Sequence, residues 1–266
     1  MTPPIVTFTS DFGREEWFVG VVHGVLHQIC PDARVVDLTH AIAPGRIERA
    51  AFVLEAAAPD FPAGTIHLAV VDPGVGTARR ALAVAAREQF FVGPDNGVLE
   101  WALAAEGARA HQLAEPRYFR PEVSRTFHGR DVFAPVAAHL AAGVAITALG
   151  PAVRDPVRLE RTTPRALDGE LLGEVMWIDR FGNALTNIEA ATLARVFPGV
   201  PEQRLEVRIG RHLVEGLARS YGDSPVGTLL SIIGSSGRLE IAQVGGDLAA
   251  RLGIGAGDPV RVRVKT

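Results

Sequence analysis

The sequence predicts an α/β fold class in two parts: an N-terminal mixed-sheet α/β sandwich domain, then a smaller C-terminal antiparallel β-barrel domain. Three observations carry this. Up to about Gly150, short β-branched and aromatic runs alternate with stretches whose apolar residues recur at helical spacing. A proline- and charge-rich segment, PAVRDPVRLERTTPRALDGE, then interrupts without clear period and reads as a linker. Beyond it come short runs separated by turn signals, some with a period of two, as in Val260-Arg261-Val262-Arg263-Val264; that pattern suits antiparallel strands with one wet face. The domains are expected at 1–160 and 161–266, with the boundary within 151–170.

In chain order, PIVTFTSD is a buried strand that stops at Ser10-Asp11, and EWFVGVVHGVLHQICP is a helix ended by Pro31. RVVDLTH is a second strand, RIERAAFVLEAAAPDF a helix stopped at Pro59, and TIHLAVVD a third strand. LAVAAREQFFVGPDNGVLEWALA reads as two strand pieces, a turn at Gly93-Pro94-Asp95-Asn96-Gly97 and a helix; RDVFAPVAAHLAAG is a further helix ending at Gly143. Strands alternating with helices imply parallel pairing. The runs ELLGEVMWID, ALTNI, RLEVRIG, GTLLSIIGSSGRLEIAQV and DPVRVRVK supply the barrel strands.

Composition narrows the function classes. Hydrophobic residues are 47% of the 266, enough for a sizeable core and too many for disorder. A net charge of −3 with no basic block argues against a nucleic-acid partner. A single cysteine, Cys30, forbids an intrachain disulfide and is expected as a small buried hydrophobe. The N-terminus has no basic n-region or long apolar run, and no stretch of about 18 apolar residues occurs, so the expectation is a soluble cytoplasmic protein without a membrane span.

Chemistry is expected beyond the carboxyl ends of the strands. Asp11, Asp37 and Asp72 each end a predicted strand, and three acids on one rim favour a site. TSDFG lacks a G-x-G-x-x-G, which argues against a nicotinamide cofactor; DPGVGTARR lacks the Lys-Ser/Thr of a phosphate loop. In FHGRD, His128 precedes a predicted helix and is an acid/base candidate, while Asp131 suits the helix N-terminus. His23 and His27, four apart, invite a metal reading that no third ligand supports; His40 and the remaining histidines are expected to be structural. No G-x-S-x-G elbow surrounds any serine. In the second domain Asp179 ends an apolar run, Gly182-Asn183 suits a hairpin turn, and Ser235 and Ser236 form a polar insert able to hold a carboxylate or simply to turn the chain.

Six segments in order, TFTSDFG, VVDPGVGTARR, VGPDNGVLEWA, TFHGRDVFAPVAAHLA, IDRFGNALTNI and SSGRLEIAQVGG, resemble the S-adenosylmethionine hydroxide adenosyltransferases, relatives of the fluorinating and chlorinating enzymes, across nearly the whole chain. The resemblance implies hydrolysis of S-adenosyl-L-methionine to adenosine and L-methionine without metal or cofactor. It also implies a homotrimer that holds this nucleoside sulfonium between the large domain of one subunit and the small domain of the next. It places the water-activating triad on Asp72, Arg79 and His128, the ribose acid on Asp11 and the acid near the methionine amine on Asp179. Asn183 then reads adenine, Tyr221 lies near the aromatic that packs on it, and Ser235 and Ser236 fall in the segment taking the methionine carboxylate. The halogenating relatives carry tyrosine at the position of Asp72 and lack the histidine, and the fluorinating enzyme has serine at the site of Gly129, so halide attack is disfavoured here. The alternatives are a halogenase-like substitution and a non-catalytic adenosine or S-adenosylmethionine binder, which would have no need of all three triad residues. Spacing prefers Arg79 over Arg80, a choice that geometry can reverse.

Overall fold

The computed structural model describes residues 2–265. The chain forms two compact units that divide between Leu159 and Glu160.

The first unit is a three-layer sandwich. Its sheet contains β1 (Ile5–Ser10), β2 (Arg34–Thr39), β3 (Ile66–Val70), β4 (Ala81–Ala86), β5 (Gln89–Pro94), β6 (Arg109–Gln112) and β7 (Ala152–Val153), in the order β2-β1-β3-β5-β4-β6-β7. The pairs β2-β1, β1-β3 and β3-β5 are parallel, whereas β4 runs antiparallel to both β5 and β6. The sheet is therefore mixed, and parallel pairing stops at β5. The reason is local: β4 and β5 are joined by a two-residue turn, Arg87-Glu88, with both φ values positive, a hairpin connection that leaves no room for a crossover helix.

Strand β3 is buried on both faces. Ile66, Leu68 and Val70 join one apolar cluster with Val22, Leu26 and Val136; Ala69 and Val71 join another with Leu54, Phe91 and Leu99. The period of two thus feeds two cores. Helices α1 (Phe18–Ile29) and α4 (Ala134–Ala141) cover the first face; α2 (Ile47–Ala57) and the single turn α3 (Glu100–Leu103) cover the second. Each fully buried Leu or Phe contributes roughly 1.5–3 kcal/mol to this packing. Helix α1 ends at Cys30, before Pro31, and α2 gives way to a 3₁₀ turn containing Pro59. The helix foreseen at RDVFAPVAAHLAAG opens with a π-helical turn, Gly129–Phe133, before α4 begins.

The second unit is a nearly barrel-shaped sheet of β8 (Arg165–Leu167), β9 (Glu170–Ile178), β10 (Ala184–Glu189), β11 (Leu205–Ile209), β12 (His212–Glu215), β13 (Leu217–Ala218), β14 (Leu229–Ile233), β15 (Arg238–Gln243) and β16 (Pro259–Val264). Pairing is antiparallel except between β13 and β14, and β12 packs against β14 to bring the path round on itself. Val207, Ile241, Val260 and Val262 fill its interior with Leu193 of α5 (Ala190–Val196) and Leu248 of α6 (Leu248–Leu252). No helix among the described residues is long and apolar enough to cross a membrane.

Candidate active site

Parallel neighbours deliver their carboxyl ends to the same rim. Ser10 of β1 pairs with Val70 of β3, so the chain leaves both strands side by side, and Asp11 and Asp72 follow directly. Both acids line a cavity of about 350 Å³ with Phe12, Gly45, Phe127 and His128. After β3 the DPGVGTARR loop turns twice on backbone hydrogen bonds, Val75 N–H to Asp72 O at 3.2 Å and Thr77 N–H to Gly74 O at 3.2 Å. Gly76 takes a φ of +77°, and a Cβ there would strike the carbonyl of Arg125. The loop thereby returns Arg79 to the acid it left.

Arg79 organises the cluster. Its Nε donates to both oxygens of Asp72 at 3.0 Å, its Nη2 donates to Oδ2 at 2.5 Å, and the same Nη2 lies 2.7 Å from His128 Nδ1. The Asp72 and Arg79 side chains are only 5% and 12% exposed, and the guanidinium sits over the Phe133 ring, 5.2 Å from its centroid. Screening by water is weak there, and a bidentate charge-assisted pair has its strongest geometry. Because a guanidinium only donates, Nδ1 of His128 accepts, and a neutral ring carries its proton on Nε2. Burial lowers the pKa of His128 below its ordinary 6.5 and the Arg79 charge lowers it further, against the opposing pull of Asp72. The imidazole is neutral at neutral pH.

The neighbouring arginine does something else. Arg80 donates to Asp95 at 2.7 Å and to the Asp155 side chain at 2.8 Å, tying the loop to the segment that follows β7. Asp131 lies in the first helical turn after His128, as expected, but its side chain does not cap the helix. Its fully buried carboxylate accepts from Ser124 N–H at 2.8 Å and Arg130 Nε at 2.6 Å, which pins the loop carrying His128. Gly129 faces the cavity; a Cβ there would come within 3.1 Å of Phe12 and 3.3 Å of Val70. Asp37 is not a strand-end rim acid: β2 continues through Thr39, and Asp37 accepts a 2.8 Å hydrogen bond from His23.

The other predicted residues lie in the second unit. Asp179, Asn183, Tyr221 and Ser235 line a cavity of about 680 Å³, whose lining does not include Ser236. Asp179 closes the β9–β10 connection on itself. Its Oδ1 accepts from Phe181 N–H at 2.8 Å and Asn183 N–H at 2.9 Å, and its Oδ2 accepts from Asn183 Nδ2 at 3.1 Å. Gly182 has a φ of +83°, and Asp247 occupies the space where its Cβ would go. Ser235 is exposed on the β14–β15 connection, closed by Gly237 N–H to Gly234 O at 3.0 Å.

Glu240 is a cavity residue the sequence reading passed over. The Tyr221 hydroxyl donates to its carboxylate, and burial followed by the Asp179 charge raises its pKa. Burial and the same carboxylate hold the Tyr221 hydroxyl above its usual range. The signal was present: in Leu239-Glu240-Ile241 the flanking residues enter the barrel core, so alternation turns Glu240 the other way. Phe12 and Phe127 were likewise missed, being read as parts of motifs rather than as cavity walls.

Fold and rim together define a class: a mixed α/β sandwich with a small antiparallel barrel, whose parallel strand ends carry an acid–arginine–histidine cluster beside an open cavity. The family can be stated as well. The SAM hydroxide adenosyltransferase N-terminal domain matches residues 6–150 and the corresponding C-terminal domain matches residues 173–261, and the chain belongs to this family. A protein of Salinispora arenicola named (R)-S-adenosyl-L-methionine hydrolase is 42% identical over 265 residues, 97% of each chain. One of the same name from Thermus thermophilus is 43% identical over 265 residues, covering 97% of this chain and 98% of its own. A crystal structure of an uncharacterized conserved protein from Thermotoga maritima superposes with a TM-score of 0.91 at 35% identity, over 97% of this chain and 99% of that one.

Proposed function

We propose that this protein hydrolyses S-adenosyl-L-methionine to adenosine and L-methionine, by in-line attack of water on the ribose 5′ carbon. The observation that carries the reading is the Asp72–Arg79–His128 cluster, whose Asp72 and His128 line one cavity with Asp11 while Arg79 joins them from behind. The names of the relatives support the same chemistry.

The balance is simple. The C–O bond forms as the C–S bond breaks, the electron pair leaves on sulfur, and the sulfonium becomes a neutral thioether. That leaving group needs no protonation, so no cofactor or metal is called for. The difficulty is the nucleophile, since bulk water has a pKa of about 15.7. One proton must be taken up as the bond forms and then passed to solvent. Asp72 is able to receive it, as is His128 once its Nδ1 releases the Arg79 N–H, and the largely buried guanidinium of Arg79 stabilises developing hydroxide. Holding water and carbon in line supplies several kcal/mol more.

In this reading Asp11 holds the ribose hydroxyls, and Asp179, Asn183, Tyr221, Ser235 and Ser236 serve adenine and the methionine end. We take the protein as cytoplasmic and, by the resemblance, its working form as a homotrimer with sites at subunit interfaces, which sedimentation analysis would test. The reaction is tested by chromatography of purified protein with S-adenosylmethionine in the presence of EDTA, with and without chloride. Equal adenosine and methionine, independent of chloride, is the expected result; no turnover at any neutral or alkaline pH would overturn it. In oxygen-18 water the label belongs in the 5′ hydroxyl of adenosine, and unlabelled product would exclude direct attack by water.

A further inference from the structure

A line of four polar side chains runs behind the Asp11 loop. Ser10 Oγ and His40 Nδ1 are 2.7 Å apart, His40 Nε2 is 3.1 Å from Asp37 Oδ1, and His23 Nε2 is 2.8 Å from the same oxygen. Ser10 and His40 are almost wholly buried, whereas the His23 and Asp37 side chains reach the surface at 30% and 24% exposure. We propose that this Ser10–His40–Asp37–His23 array positions the Asp11 loop for nucleoside binding, with His40 as its central positioning residue. The proposal rests on the ribose role given to Asp11 above.

Proton directions follow from the partners. The Phe12 amide donates to Ser10 Oγ at 3.3 Å, so the hydroxyl hydrogen is left for His40 Nδ1, which accepts it. The proton of the neutral ring then sits on Nε2, which lies 3.1 Å from Asp37 Oδ1 without the alignment of a hydrogen bond, so that contact is electrostatic. Burial lowers the pKa of His40, against the pull of Asp37, which keeps the ring neutral. Burial alone would raise the pKa of Asp37, but its contacts with His40 and His23 prevail and lower it. Phe8 packs edge-on to the imidazole with centroids 4.6 Å apart, which fixes the ring plane.

The array is joined to the cavity by backbone. Gly13 N–H donates to His40 O at 2.9 Å, and Gly45 N–H donates to Asp11 Oδ2 at 2.8 Å. The connection after β1 and the connection after β2 are thus stitched together at two points, with Asp11, Phe12 and Gly45 all facing the ligand space. Serine, histidine and acid in a row suggest a nucleophile, but Ser10 is 0% exposed and does not line the cavity. Its hydroxyl acts through the main chain it holds. Burying these polar groups costs more than an apolar pair of similar volume would, a cost that positioning explains and packing does not.

The test compares adenosine affinity by calorimetry, and kcat and KM for S-adenosylmethionine, in wild type, His40→Leu, His40→Asn, His23→Gln and Asp11→Ala. In His40→Leu the adenosine Kd and the KM rise about tenfold while kcat stays within about twofold, the expected loss of one buried hydrogen-bonded link. In His40→Asn the carboxamide oxygen takes the place of Nδ1, accepts from Ser10, and restores part of the affinity, to about threefold below wild type. His23→Gln, at the surface end, weakens binding by about twofold. A purely structural role predicts the reverse order, because leucine fills the buried volume better than asparagine. Leucine binding as well as asparagine, or both binding like wild type, overturns the proposal. If His40→Leu fails to fold, His40→Asn and His23→Gln decide, and unchanged affinity in both is fatal. The underlying reading fails separately: if wild type does not bind adenosine, or Asp11→Ala binds it as tightly as wild type, the ribose role falls and this proposal with it.

Discussion

The two cavities handle charge differently. In the first unit the Asp72 carboxylate is met on both oxygens by Arg79, which also reaches His128, so the charges balance one another before any ligand arrives. In the second unit Glu240 is buried against a phenol, and burial, then the charge of Asp179, raises its pKa against the hydrogen bond from Tyr221. A pre-neutralised cluster can carry a changing charge through a reaction without reorganising. A desolvated carboxyl beside a second acid is instead relieved by whatever donor or cation binds there. Under the proposed reaction, the contrast suits water handling at the rim and substrate recognition at the barrel.

Four measurements break or sharpen that contrast. Asp72→Ala is expected to have the largest effect, cutting kcat by about 10³-fold or more while substrate affinity stays within a few fold; near-normal turnover would move the chemistry elsewhere. Asp11→Ala, on the same rim but outside the charge cluster, is expected to raise the adenosine Kd by about 10–100-fold, the worth of hydrogen bonds to a carboxylate. The third measurement is a kcat–pH profile. Since the His128 pKa lies below 6.5, kcat holds steady through neutrality and falls only below that value, where a second cation would sit beside Arg79 and Nδ1 could no longer accept from it. A limb centred above 6.5 would contradict the neutral ring. The smallest catalytic effect is expected of Arg80→Ala. Its partners are Asp95 and Asp155, so thermal unfolding shifts by about 1–3 kcal/mol with kcat nearly unchanged.

Much of the rim was legible because strand ends are local events. TFTSD and LAVVD each stop where a carboxylate follows β-branched or apolar residues, and two such parallel strands in one sheet present their acids together. The β4–β5 hairpin left parallel pairing open to misreading, because its turn is Arg87-Glu88 at positive φ, without glycine or asparagine to announce it. Asp131 was rightly placed in the first turn of its helix and Asp37 wrongly at the end of its strand. Their partners, Ser124 and Arg130 in one case and His23 and His40 in the other, are set by how segments pack. Glu240 was visible as a charge in an alternating run, but nothing local showed a phenol waiting for it.

What the sequence determined by itself was the alternation of elements, the change of texture after Gly150, the acids at strand ends, and the six ordered segments that mark the family. These depend on periodicity and on the conformational limits of proline and glycine, which act within a few residues. Only the tertiary structure showed that Arg79 meets Asp72 while Arg80 turns to Asp95, brought His128 to Arg79 from 49 residues away, and drew His23, Asp37, His40 and Ser10 into one line. Hydrogen bonds that span tens of residues depend on the register of β1 against β2 and β3 and on the helix covering them, and no local pattern encodes that register.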